Sequence, residues 1–171
     1  MRDLQVSVIG TGYVGLTNAV ALAYLGYRVV CVDVDESKIE KLRAGLLPIF
    51  EPYLDELMKL TGDRLVFTTN YAEAVPESDV VFIAVGTPPG HDGAPDLKYL
   101  EAAAHSVGQL LGDKFTVIVN KSTVPIGSAN WVESLVRDAF VAKRGPAAER
   151  KFAVASNPEF LREGSALFDT L

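Results

Sequence analysis

Six residues near the start of the chain read Gly10-Thr11-Gly12-Tyr13-Val14-Gly15, directly after the apolar run Val6–Ile9. Glycines at these intervals between a strand and a helix do a specific job. Gly10 permits a tight turn, Gly12 lets backbone approach a pyrophosphate, and Gly15 allows close helix–strand packing. The helix that follows offers free N–H groups and partial positive charge to phosphates. Asp33 ends the next apolar run, about 20 residues downstream, where a carboxylate accepts the two ribose hydroxyls of a dinucleotide. That carboxylate repels a 2′-phosphate, so NAD is expected over NADP. Lys38 follows closely and either reaches the ribose or phosphates or stays a solvated surface lysine.

These residues need elements to hold them. Short runs rich in β-branched residues recur at Val6–Ile9, Arg28–Asp33, Leu65–Thr68, Val80–Val85, Phe115–Val119 and Phe152–Ala155. Near-continuous apolar runs of this kind are strands covered on both faces of a parallel sheet. Helices are expected near Tyr13–Leu25, Ser37–Ala44, Pro52–Leu60, Leu97–Leu111 and Gly127–Ala142. Asp96 suits the start of the fourth of these, and Asp35 or Ser37 the start of the second. Strand and helix in alternation predict an α/β, Rossmann-type doubly wound parallel sheet with helices on both faces. Residues 1–171 are read as one domain, long enough for a real core. The Gly- and Pro-rich stretch Gly86–Pro95 is loop, and Lys143–Arg150 an exposed turn.

Parallel strands share a carboxyl edge, so other strand ends converge on Gly10–Gly15. Thr87 follows one strand, Lys121, Ser122 and Thr123 follow another, and Asn157, Glu159 and Glu163 follow the last. Their hydroxyls and amides suit cofactor positioning, and a carboxylate at the nicotinamide end suits a base.

Composition narrows the classes. With a formal net charge of −6 and no Lys/Arg stripe, a nucleic-acid surface is not expected. No apolar run approaches the roughly 20 residues of a membrane span. The start MRDLQVSVIG is too short in apolar residues for a signal peptide, and the single cysteine, Cys31, fits a reducing cytoplasm. His91 and His105 lack a second ligand at useful spacing, so no metal is implied. His91 reads as an exposed loop histidine beside the cofactor edge and His105 as a helix-surface residue.

Several separated stretches resemble the N-terminal, NAD-binding domain of the UDP-glucose/GDP-mannose dehydrogenase family. They are VIGTGYVGL, VDVDESKIEKL, PIFEPYLDEL, VGTPPGHDGAPDLKYL, NKSTVPIGS and SNPEFLREGSA, in that order. The resemblance implies an enzyme that oxidises the primary alcohol of a nucleotide sugar to a carboxylate with two NAD, in polysaccharide biosynthesis. It passes through a thiohemiacetal on a cysteine. By the same resemblance, Gly10, Thr11, Gly12, Tyr13, Val14, Gly15, Asp33, Lys38, Thr87, Ser122 and Thr123 touch NAD. Glu163 lies near the nicotinamide and ribose. Glu159 acts as general base or activates water, and Thr123 helps orient that water. Phe160, Leu161 and Arg162 line the substrate with Glu159. The ending NPEFLREGSA looks more like the UDP-glucose branch, giving UDP-glucuronate, than the GDP-mannose branch. The whole enzyme is expected as a homodimer or higher assembly.

The family's cysteine motif, central helix and nucleotide-sugar-binding domain are not in these 171 residues. Cys31, in a buried strand, cannot replace that cysteine. The chain is therefore expected to be a fragment or truncated relative that binds NAD with little or no turnover. Pro89-Gly90 departs locally from many members. The other readings are an NAD-sensing regulatory module without chemistry, a GDP-mannose or UDP-N-acetylhexosamine dehydrogenase domain, or a β-hydroxyacid dehydrogenase. KSTVP and NPEFLREG argue against the last.

Overall fold

In the computed structural model, residues 4–90, 93–124 and 128–171 are described. Six strands form one sheet: β1 (Gln5–Ile9), β2 (Arg28–Val32), β3 (Leu65–Thr68), β4 (Val80–Ile83), β5 (Thr116–Asn120) and β6 (Phe152–Ser156). Their order is β3-β2-β1-β4-β5-β6 and every pairing is parallel. This is the doubly wound Rossmann order, with its switch point between β1 and β4, where ligands bind outside the carboxyl ends.

Alternation along the strands makes two cores. Val6, Val8, Val29 and Cys31 face one side, against α1 (Tyr13–Tyr24), α2 (Glu36–Arg43) and α3 (Leu54–Thr61). Ile9, Val30, Val32, Val81, Ile83 and Ile118 face the other, against α4 (Lys98–Leu110) and α5 (Ser128–Arg144). The last helix, α6 (Ala166–Thr170), joins the first side through Leu167. Cys31 is fully buried, and burial followed by the Asp33 charge pushes its thiol pKa well up, as for a small hydrophobe. His105 is on the exposed side of α4.

Element boundaries differ from expectation for local reasons. The helix read from Pro52 begins at Leu54, because Tyr53 takes a left-handed backbone at φ 66°. The expected turn from Lys143 starts only after α5 has run on through Arg144. The expected start of that helix at Gly127 lies outside the described residues, as do His91 and the Pro125–Gly127 part of NKSTVPIGS. Pro89 and Pro95 bridge the 86–95 loop, and the Gly90 amide donates to Ala94 at 2.6 Å. Among the described residues no helix is long and apolar enough to cross a membrane.

Candidate functional site

The glycine turn has the geometry its spacing demands. Gly10 sits at φ 97° and its amide donates to the Val32 carbonyl at 2.7 Å. A Cβ there would stand 2.6 Å from the Ala84 carbonyl oxygen. A Cβ on Gly15 would collide with the Gly10 carbonyl. Gly12 differs, because a Cβ there would meet nothing within 4 Å. That open space lies in front of the first turn of α1, which has Gly12 as its N-cap, no side-chain cap and no acid. Free N–H groups and the helix dipole therefore point at empty space.

Asp33 turns toward this helix. One oxygen accepts from the Thr11 amide at 2.9 Å, the Thr11 hydroxyl at 2.7 Å and the Lys38 ammonium at 2.9 Å. The other accepts, among the described residues, only from the Asp35 amide at 3.1 Å, which leaves acceptor capacity for hydroxyls. Burial raises the Asp33 pKa, but the bonds from Thr11, Lys38 and Asp35 outweigh it and hold the carboxyl below its ordinary value. Asp33, Lys38, Gly10 and Gly12 line a cleft of about 560 Å³, which Tyr71 and the α4 residues Tyr99, Ala102 and Ala103 also line. Burial and then the Asp33 charge push the Tyr71 phenol up to about 12.

A second cleft of about 200 Å³ shares Gly12, Ala84, Val85 and Gly86 with the first, so the two are ends of one groove across the front of α1. Tyr13, Val14, Thr87, Lys121, Ser122, Thr123 and Glu159 complete its lining. Thr87 donates to the Thr123 carbonyl at 3.1 Å, and Thr123 donates to one oxygen of Glu159 at 3.0 Å. The second Glu159 oxygen is buried with no partner among the described residues. The Ser122 hydroxyl donates to the Val85 carbonyl at 2.7 Å, so it serves the loop. Lys121, 8% exposed, donates to the Asn157 carboxamide oxygen at 3.0 Å. Burial lowers its pKa, and the Glu159 charge opposes that shift.

Four residues expected at the substrate or nicotinamide lie apart from the groove lining. Phe160 is 87% exposed, and Leu161 is half-buried. Arg162 donates to Asp169 through two side-chain bonds, at 3.2 and 2.7 Å, and its amide at 3.0 Å. Glu163 is exposed and its charge is felt by the Tyr13 phenol. Tyr71, Tyr99 and Glu51 carried no role in the sequence. The tyrosines fall in segments whose periodicity shows helix or loop but not what they face. Glu51 sits in PIFEPYLDEL, where its only signal is a charge between Phe50 and Pro52. No group of three or more His, Cys, Asp or Glu side chains suited to a metal occurs among the described residues.

Residues 4–171 match the family model described as the UDP-glucose/GDP-mannose dehydrogenase family, NAD binding domain. The UDP-glucose 6-dehydrogenase TuaD of Bacillus subtilis is 47% identical over 98% of this chain and 35% of its own length. A UDP-glucose dehydrogenase structure from Pyrobaculum islandicum superposes with a TM-score of 0.86 at 49% identity, covering 97% of this chain and 38% of that one. A ternary complex of GDP-mannose dehydrogenase from Pseudomonas aeruginosa has a TM-score of 0.85 at 38% identity, covering 96% and 38%. The chain thus spans little more than a third of the length of these relatives.

Proposed function

The chain belongs to the UDP-glucose/GDP-mannose dehydrogenase family, as its NAD binding domain, and from that premise we propose how NAD lies on it and what the whole protein does. The pyrophosphate rests on the free amides of Gly12–Gly15, where open space and the dipole of α1 favour it. The adenosine ribose bonds the unspent oxygen of Asp33, with Lys38 holding the other in place. Adenine occupies the cleft between Tyr71 and Tyr99. The nicotinamide end lies by Thr87, Ser122 and Thr123, with the exposed Glu163 on the final loop next to Tyr13, from where it turns to the nicotinamide ribose when NAD is bound.

When bound, NAD supplies the hydride acceptor. The chain's own residues orient it, and Glu159, held by Thr123, takes up a proton through its unpartnered oxygen. Phe160, Leu161 and Arg162 line the sugar. In the whole protein the reaction is oxidation of UDP-glucose to UDP-glucuronate with two NAD, using a cysteine from outside these residues. That protein is cytoplasmic, a homodimer or larger, and binds no nucleic acid. A sensing module has no use for a carboxylate poised at the nicotinamide end, which supports the enzymatic reading.

The observation that carries this reading is Asp33 facing the same groove as the uncapped start of α1. Titration of the chain with NAD and NADP tests it. NAD binds more tightly, and Asp33→Ala weakens NAD by about tenfold or more, as loss of a charge-assisted bond does. Equal affinity for both cofactors would remove the role given to Asp33.

A further inference from the structure

Glu51 is 4% exposed, in a turn between Phe50 and Pro52 with no strand or helix of its own. A buried carboxylate is costly unless its oxygens are satisfied. Here the partners come from two distant parts of the chain. The Tyr13 hydroxyl, on the first turn of α1, donates to one oxygen. The Gly164 amide donates to the same oxygen at 2.9 Å and also to the Tyr13 hydroxyl at 3.1 Å. The Leu167 amide, in the first turn of α6, donates to the other oxygen at 3.3 Å. Burial pushes the Glu51 pKa up, but these bonds outweigh it and hold the group ionised below its ordinary value.

Glu159 and the residues proposed to line the sugar hang on the segment between β6 and α6. That segment is tied at its start, where Asn157 meets Lys121, and at its end by Glu51. The Arg162–Asp169 pair is bidentate and includes the Arg162 amide, but it joins residues only seven apart and does not tie the segment to α1. We infer that Glu51 is a positioning residue, a clamp that fixes the 157–167 segment against the first turn of the cofactor helix and so sets where Glu159 stands. The importance of that placement rests on the function proposed above, whereas the clamp is a property of the chain itself.

Amide hydrogen exchange and NMR on the 171-residue chain, without cofactor, test it. Glu51→Ala speeds exchange at Gly164 and Leu167 by about tenfold or more, while the Val8 and Val20 amides stay within about twofold. The Glu159 amide resonance shifts as well, although Glu159 does not touch Glu51. Glu51→Gln keeps an acceptor for one amide and falls between, at about threefold. It also returns the Tyr13 phenol toward its ordinary value, because burial, then the hydrogen bond to the Glu51 carboxylate and after it the Glu51 charge, hold that group up. Simple loss of packing gives no such graded, local pattern. Unchanged exchange at Gly164 and Leu167, an unmoved Glu159 resonance, or equal acceleration throughout the sheet overturns the clamp. If Glu51→Ala does not fold, Glu51→Gln decides by the same outcomes. Failure of the unaltered chain to bind NAD would sink the cofactor reading alone.

Discussion

The helices that follow β1 and β2 begin in opposite ways. α2 is complete in itself: Asp35 caps it by accepting from the Lys38 amide, Glu36 sits in its first turn, and Lys41 and Arg43 in its last. Its macrodipole is compensated by its own side chains. α1 has Gly12 at its cap, no acid in the first turn and no base in the last. Its stability comes instead from burial, with eight of its twelve residues buried against the sheet and its neighbours. The contrast teaches where a ligand belongs. A helix that leaves its own amides unmet, and is held by packing, keeps that end for an anion, and bound ligand then adds the stability a cap would have given.

The sharpest way to break this comparison is a methyl group at each of two glycines. Gly10→Ala forces a side chain onto φ 97° and against the Ala84 carbonyl. The domain should lose about 3 kcal/mol or more, seen as a lower urea midpoint. Gly12→Ala enters open space at φ −72°, so stability should stay within about 0.5 kcal/mol. Yet NAD affinity should fall by about tenfold or more by titration, because the methyl occupies the pyrophosphate's approach. Unchanged NAD affinity in Gly12→Ala would show that the open end of α1 is not the binding surface.

Acid titration sharpens the boundary between the two helices, where Asp33 joins the Thr11 turn to Lys38. Its folded pKa is depressed, so its contribution is complete above the unfolded value of about 3.9 and is lost as pH falls through the lower folded value. The urea midpoint should therefore drop as pH falls from about 5 to about 3, and drop less steeply in Asp33→Asn. The same slope in both proteins would mean that Asp33 is not coupled to folding.

The glycine-turn end of the groove was legible in the sequence because its signals are local. Strand, glycine turn, helix and Asp33 all fall within one stretch, and each glycine's role follows from backbone sterics. The Glu159 end of the groove was legible only in part. Thr87, Thr123 and Glu159 meet because parallel strands end on one edge, which topology predicts, but the Thr123–Glu159 bond depends on the path of irregular loops. Lys121 stood out as a polar strand end without a role, since burial is not visible in a lysine. Glu51 was hidden because its partners lie 38 and 113 or more residues away. α6 has five residues, too few for a helical period to register.

Asp35→Ala is the smallest expected effect and the cleanest control on the comparison. It removes the side-chain acceptor of the Lys38 amide and leaves the α1 end untouched. A lost cap costs about 1 kcal/mol, so the urea midpoint should fall measurably while the sheet stays intact. NAD affinity should change by less than about twofold, because the Asp35 amide that bonds Asp33 is backbone and survives the substitution. A loss of stability without a loss of binding separates a helix end that serves the fold from one that serves a ligand. If Asp35→Ala instead weakened NAD as strongly as Gly12→Ala, the two ends would act as one unit. The division of labour between α1 and α2 would then be wrong, and Lys38 would be the element they share.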